Sequence, residues 1–271
     1  MQEKGKLLSV KLDLVFKLIF GDLRNTDILA GFLKSVLDIP ESEYERIVVV
    51  DPHVKAEHLD DKYGILDVKI HTKSGRVVHT EIQVDPIHEM GERTIYYQSK
   101  LVTEQIASGQ NFSVIKKVVS IIITDYALLL GDDRYHHQFR YRTRDGIEFT
   151  DLAEINTLEL CKLPREPDKS ELWYWMKFID SNNDEEELEM IAERSPQMNK
   201  AVGVLKELSA DESTRMLAEA REKARRDAAS RLNWAREEGK EEGRKEGEEK
   251  IIELLKSGKS PEEIIRDHGS H

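Results

Sequence analysis

The sequence holds a single cysteine, Cys161, among 271 residues, which excludes an internal disulfide and a thiolate metal cluster. Its structure must come from ordinary packing in a reducing compartment. No apolar run approaches the roughly 18 residues of a membrane-spanning helix. The amino end, residues 1–13, lacks the long apolar core and small-residue cleavage site of a secretory leader. A cytoplasmic protein without a membrane segment is expected. Excess positive charge is also missing, since 41 Lys and Arg face 53 Asp and Glu for a net charge of -12. With no basic arm, unspecific coating of nucleic acid is disfavoured, while a local site stays open. The histidines show no HExxH spacing, so zinc is not expected. What remains is 39% hydrophobic and 35% charged, long enough for one large α/β domain and an appendage.

Apolar residues between Val10 and Leu37 recur at helical spacing, with Gly21, Asp22 and Asn25 dividing them into two helices. Ile47 to Val50 is β-branched and ends at Asp51-Pro52, the pattern of a short strand. Residues 65–84 alternate apolar and polar on both sides of Gly75, which predicts a hairpin. A polar helix is expected from Pro86 to Gly109, followed by a strand buried on both faces at Val118 to Thr124. Weaker strand patterns lie at Gln138 to Thr143 and Leu158 to Leu163. Helices resume from Lys169 to Leu208, with Trp173 and Trp175 as packing residues. The expected division is a domain over 1–210 and a charged helical extension over 211–271. In that extension Gly239, Gly243 and Gly247 recur every four residues, as either a flexible linker or a glycine-faced helix packed on a partner. The segment Ile251 to Arg266 suggests two short helices around Gly258 and Pro261.

The hairpin is where the sequence bears on chemistry. A three-residue loop at Lys73-Ser74-Gly75, with glycine in the left-handed position, pairs residues whose numbers sum to 148. Asp67 then faces Glu81 with Cβ atoms about 5 Å apart, with Gln83 on the same side and His79 on the other flank. A two-residue loop would instead put the two carboxylates on opposite faces. Two carboxylates so close repel, and a shared divalent cation is the simplest way to keep both ionised. Mg²⁺, or Mn²⁺, suits an all-oxygen set and leaves room for substrate phosphate. An ordinary solvated hairpin face is the competing reading from spacing alone.

Gly64-Ile-Leu-Asp67 followed by Glu81-Ile-Gln83 resembles the PD-(D/E)XK nuclease superfamily, in particular its transposases and recombination-promoting nucleases. Asp13-Leu-Val-Phe16-Lys17, Lys62, Arg93 with Tyr97 and Lys100, and Gln105 with Gly109 support the resemblance, which covers residues 10 to 165. It implies a restriction-endonuclease-like α/β fold with an αβββαβ core, a mixed sheet flanked by helices. It further implies Mg²⁺-dependent DNA cleavage connected with transposition or recombination, with Asp67 and Glu81 as metal ligands and Gln83 as a third catalytic residue. Leu66 replaces the proline of the superfamily name, and Gln83 replaces its lysine. A glutamine orients water but carries no charge and accepts no proton in the way neutral lysine does. Arg93, Tyr97 and Lys100 share one helical face and, with Lys17, are the expected phosphate contacts. Two other readings stand beside this one: a catalytically weak relative that binds DNA or a partner, and a scaffold that forms homo-oligomers through its carboxyl-terminal helix.

Overall fold

The computed structural model describes residues 7–50, 68–181 and 184–268. Its chain divides into two compact units, Met1–Ala218 and Glu219–His271.

The first unit opens with α1 (Asp13–Phe20) and α2 (Thr26–Val36). Val15, Phe16, Ile19 and Phe20 fall on one stripe of α1 and are fully buried. The interruption expected at Gly21 to Asn25 is present as a short 3₁₀ turn, with the Asp22 carboxylate accepting from the Arg24 N–H. Three later helices complete this layer: α4 (Glu171–Asp180), α5 (Glu185–Arg194) and α6 (Pro196–Ala210). Each begins on a polar cap, since Ser170, Asp184 and Ser195 accept from Trp173, Glu186 and Met198 N–H groups. Trp175 on α4 meets Phe20, Phe32 and Phe178 with ring centroids 6.0–6.3 Å apart, edge to face. Gly31 allows this approach, because a Cβ there would lie 3.0 Å from the Trp175 ring and 3.2 Å from Gln197.

The sheet is six-stranded, in the order β1-β2-β3-β4-β6-β5. Strands β1 (Val48–Val50), β2 (Val68–His71) and β3 (Val77–Gln83) form an antiparallel meander. Helix α3 (Met90–Thr103) crosses over to β4 (Val118–Thr124), which pairs parallel with β3 and with β6 (Glu148–Glu159). Strand β5 (His136–Arg142) closes the edge antiparallel to β6. Every residue of β4 is buried, as its run of apolar residues requires of a strand covered on both faces. One face, with Val78, Ile82, Val119, Ile121 and Ile123, packs on the α1, α2 and α4 to α6 layer. The other face meets α3 through Val77, Val118 and Leu101.

Three boundaries differ from the sequence expectation. Helix α3 stops at Thr103, not Gly109, because the Gln105 side chain takes over the bonding: it donates to the Leu101 and Lys116 carbonyls and accepts from the Lys116 N–H. Strand β6 starts at Glu148, ten residues before the apolar pattern at Leu158, and 160–162 form a 3₁₀ turn instead of its end. Its outer half pairs only with edge strand β5, so its residues, Phe149 among them, stay exposed or half-buried and carry no core signal. The expected helix beginning at Ile251 is the last turn and a half of a longer one.

That helix, α7 (Glu212–Lys256), is continuous through Gly239, Gly243 and Gly247 and is followed by α8 (Pro261–His268). A helix, and not a flexible linker, is what the structure shows there. Among the described residues, and apart from the helix's own backbone and the adjoining residues, no atom lies within 4 Å of a Cβ built at any of the three glycines. Met216, Leu217, Leu232 and Trp234 are each more than half exposed.

Candidate active site

The parity of β3 is settled by its turn. Gly75 has φ +87, the Thr72 N–H donates to the Arg76 carbonyl at 3.0 Å, and the Gly75 N–H donates to the Thr72 carbonyl at 2.9 Å. The resulting register pairs Val68 with Thr80, Lys69 with His79, Ile70 with Val78 and His71 with Val77, each pair summing to 148. The three-residue loop read from the sequence is therefore the one formed. It sends Val77, His79, Glu81 and Gln83 toward α3. Asp67 and Lys62 lie outside the described residues.

Glu81 sits in the carboxyl-terminal half of β3 with only 4% of its surface exposed. Its carboxylate is not alone. Arg93, in the first turn of α3, donates from Nε at 3.2 Å and from Nη2 at 2.8 Å to the Glu81 Oε1. The guanidinium carbon also lies 5.0 Å from the centroid of the buried Tyr97 ring, one helical turn along. Buried Tyr97 thus backs Arg93, and Arg93 neutralises Glu81. Lys100 is exposed a further turn on, and Gln83 ends the strand, its amide donating to the Asp85 carbonyl at 2.8 Å. Lys17 belongs to α1, on the opposite face of the sheet. The end of α1 nevertheless approaches the start of β2, since a Cβ on Gly21 would meet Val68 at 3.5 Å.

Two neighbours escaped the sequence reading. Tyr126 follows β4, and burial pushes its phenol above the ordinary range; the Ile87 N–H opposes this, and the Glu81 charge adds to it. A neutral phenol beside this carboxylate is a hydrogen-bond donor at neutral pH. The second is Glu159, in register with Thr124 of β4 and, through it, with Gln83. Its fully buried carboxylate accepts from the Leu128 and Leu129 N–H groups and pairs with Lys162 at 2.7 Å, fixing the loop after β4. The signal for both was the strand VVSIIIT itself, whose carboxyl end in a parallel sheet is where polar groups of neighbouring strands converge.

His79 shares the face of Glu81 but is no base. Its ring is fully buried, with Nε2 2.5 Å from the Ser120 Oγ, and burial together with the Lys69 charge lowers its pKa to about 3. Gln98 of α3 donates to the same Ser120 Oγ at 3.0 Å and to the Glu154 carbonyl at 2.9 Å. This chain of bonds ties α3 to the sheet and so fixes the helix that carries Arg93.

Among the described residues, no group of three or more His, Cys, Asp or Glu side chains is arranged to hold a metal ion. Glu81 does fit one half of an oxygen set, because its buried carboxylate already holds a positive group at hydrogen-bond distance.

A mixed sheet with an antiparallel meander, a helical crossover to a parallel strand and a buried acidic residue next to that crossover defines a nuclease-like α/β protein of the restriction-endonuclease class. The chain belongs to the PD-(D/E)XK nuclease family transposases, whose family model matches residues 10–235. Nucleases of this class generally work with divalent metal ions. No curated protein and no solved structure matches the chain. No described helix is long and apolar enough to cross a membrane.

Proposed function

We propose that the protein is a Mg²⁺-dependent DNA endonuclease, also served by Mn²⁺, acting in transposition or recombination. The observation that carries this reading is the hairpin register together with the buried, cation-paired Glu81. The described pairs of that register sum to 148, the same sum on which the sequence reading sets Asp67 against Glu81. Asp67 and Glu81 are the residues that would hold the cation, which when bound supplies charge to a phosphoryl oxygen and acidifies water. Gln83, with its amide hydrogens turned to the Asp85 carbonyl, presents its Oε1 as an acceptor that orients the attacking water. Arg93, Tyr97 and Lys100 offer donors to the phosphate from one face of α3, and Lys17 does so from the other side of the sheet.

A second reading follows from Gln83, which brings no proton acceptor comparable to lysine: a relative with weak catalysis that binds DNA or a partner. Incubating plasmid DNA with the protein in Mg²⁺ or EDTA separates the two. Cutting in Mg²⁺ that is lost in Asp67→Ala supports the nuclease; equal cutting by Asp67→Ala refutes the site. In this reading the domain spans 1–210, and the extension 211–271 joins two copies through the exposed apolar residues of α7.

A further inference from the structure

Arg93 holds the Glu81 oxygen, Oε1, that a cation bound at this carboxylate would compete for. Its Nε and Nη2 both reach the same carboxylate oxygen, and the carboxylate is nearly sealed from water. A divalent cation taking that oxygen brings two charges into contact with a guanidinium about 3 Å from it, and like charges at that separation in a poorly solvated site repel strongly. One of them has to move. The guanidinium is the mobile partner: its side chain is 29% exposed against 6% for that of Glu81, and it extends from the first turn of α3, beside the open end of the sheet.

We propose that Arg93 is an exchangeable counter-cation, holding the Glu81 carboxylate in the metal-free protein and passing to a DNA phosphate when a divalent cation takes its place. The inference rests on the reading of Glu81 as a metal carboxylate and adds a regulatory consequence. Metal and DNA assist each other's binding through a single side chain. The cation releases Arg93 for phosphate, and phosphate draws Arg93 away from the cation's oxygen. Coupling of this kind is reciprocal by thermodynamic necessity, typically about 5- to 150-fold. Before both arrive, the buried carboxylate is neutralised from within, so the folded protein tolerates it without metal. The ring of Tyr97 under the guanidinium marks the resting place to which Arg93 returns.

The test measures binding, not cutting. Mn²⁺ affinity of the full chain is determined by electron paramagnetic resonance, with and without a duplex carrying uncleavable phosphorothioate linkages, for the wild type, Glu81→Ala, Arg93→Gln and Arg93→Lys. Arg93→Gln keeps a hydrogen bond to Glu81 without the charge; it should bind Mn²⁺ at least about fivefold more tightly than the wild type in the absence of DNA. DNA should raise Mn²⁺ affinity more in the wild type than in Arg93→Gln, by a similar factor, the gain left in the variant being what direct contact of phosphate with the cation gives. Arg93→Lys, which retains the charge, should lie between them. If Arg93→Gln, folded by circular dichroism, binds Mn²⁺ no more tightly than the wild type, the counter-cation role is wrong while the nuclease reading stands. If the wild type binds no more Mn²⁺ than Glu81→Ala, the metal site itself is wrong, and this inference falls with it.

Discussion

His79 should make the protein acid-sensitive in a way that one substitution removes. In the unfolded chain its imidazole has the ordinary value of 6.5, and in the fold burial takes it to about 3. Between those values the unfolded state binds a proton that the folded state refuses, so stability falls as pH falls. At pH 7.5 the difference is negligible. At pH 5.0 the unfolded imidazole is about 1.5 pH units below its midpoint, and at about 1.4 kcal/mol per unit this costs about 2 kcal/mol. Because the ring is fully buried, solvent screening does not reduce that figure. His79→Gln keeps a partner for the Ser120 hydroxyl and does not titrate. It should be less stable than the wild type at pH 7.5, and that gap should shrink by about 2 kcal/mol at pH 5.0. Urea unfolding followed by tryptophan fluorescence, at both pH values and for both proteins, measures this directly. In thermal melts the same change is about 4–8 °C for a unit of this size. The carboxylates titrate alike in the two proteins and cancel in the comparison. A gap that stays constant between pH 7.5 and 5.0 would refute the reasoning.

Other expectations follow from the site and the core. Glu81→Ala should abolish plasmid cleavage in Mg²⁺ while leaving circular dichroism unchanged; retained cutting would remove Glu81 from the chemistry. Gln83→Ala should slow cleavage about 10- to 1000-fold, the scale of one polar transition-state contact, and Gln83→Lys should be tolerated, as single-turnover rates will show. Trp175→Ala should cost about 3–5 kcal/mol in urea unfolding, since the ring is wrapped by Phe20, Phe32 and Phe178 and the space cannot collapse. Leu232→Glu with Trp234→Glu should reduce self-association in sedimentation velocity without changing nicking; an unchanged mass would leave α7 without its proposed role.

The hairpin register was legible because one loop length fixes the parity of two strands, and Gly75 with the alternation around it identified that length. Strand β4 was legible because burial on both faces needs an unbroken apolar run. The outer half of β6 was not, since a ribbon exposed on both faces needs no such run. A cue was nevertheless present. Thr143-Arg144-Asp145-Gly146 repeats the chemistry of Thr72-Lys73-Ser74-Gly75, and the two turns make the same pair of bonds: threonine N–H to the residue after glycine, and glycine N–H back to threonine. The pairing of Glu81 with Arg93 was hidden for another reason. Helical spacing put Arg93, Tyr97 and Lys100 on one face, but which face meets β3 is decided by Gln98, whose amide reaches Ser120 and Glu154 far along the chain. The site's other carboxylate, Asp67, lies outside the described residues, and its pairing stays a proposal.

These twin turns have unequal surroundings, which matters to anyone wishing to attach a probe. The Gly75 turn is held to the body of the protein, with the Thr72 and Ser74 hydroxyls both donating to the Glu43 carboxylate. The Gly146 turn stands at the tip of a two-stranded ribbon whose residues are exposed on both sides. A fluorophore, an epitope or a short inserted loop at Asp145 should therefore leave folding intact, where the same change at Ser74 would sever those bonds. The native thiol has to be considered as well. Cys161 is exposed, although partial burial pushes its thiol above the ordinary range and the Glu159 charge adds to this, so a cysteine placed at Asp145 is best labelled in a Cys161→Ser background.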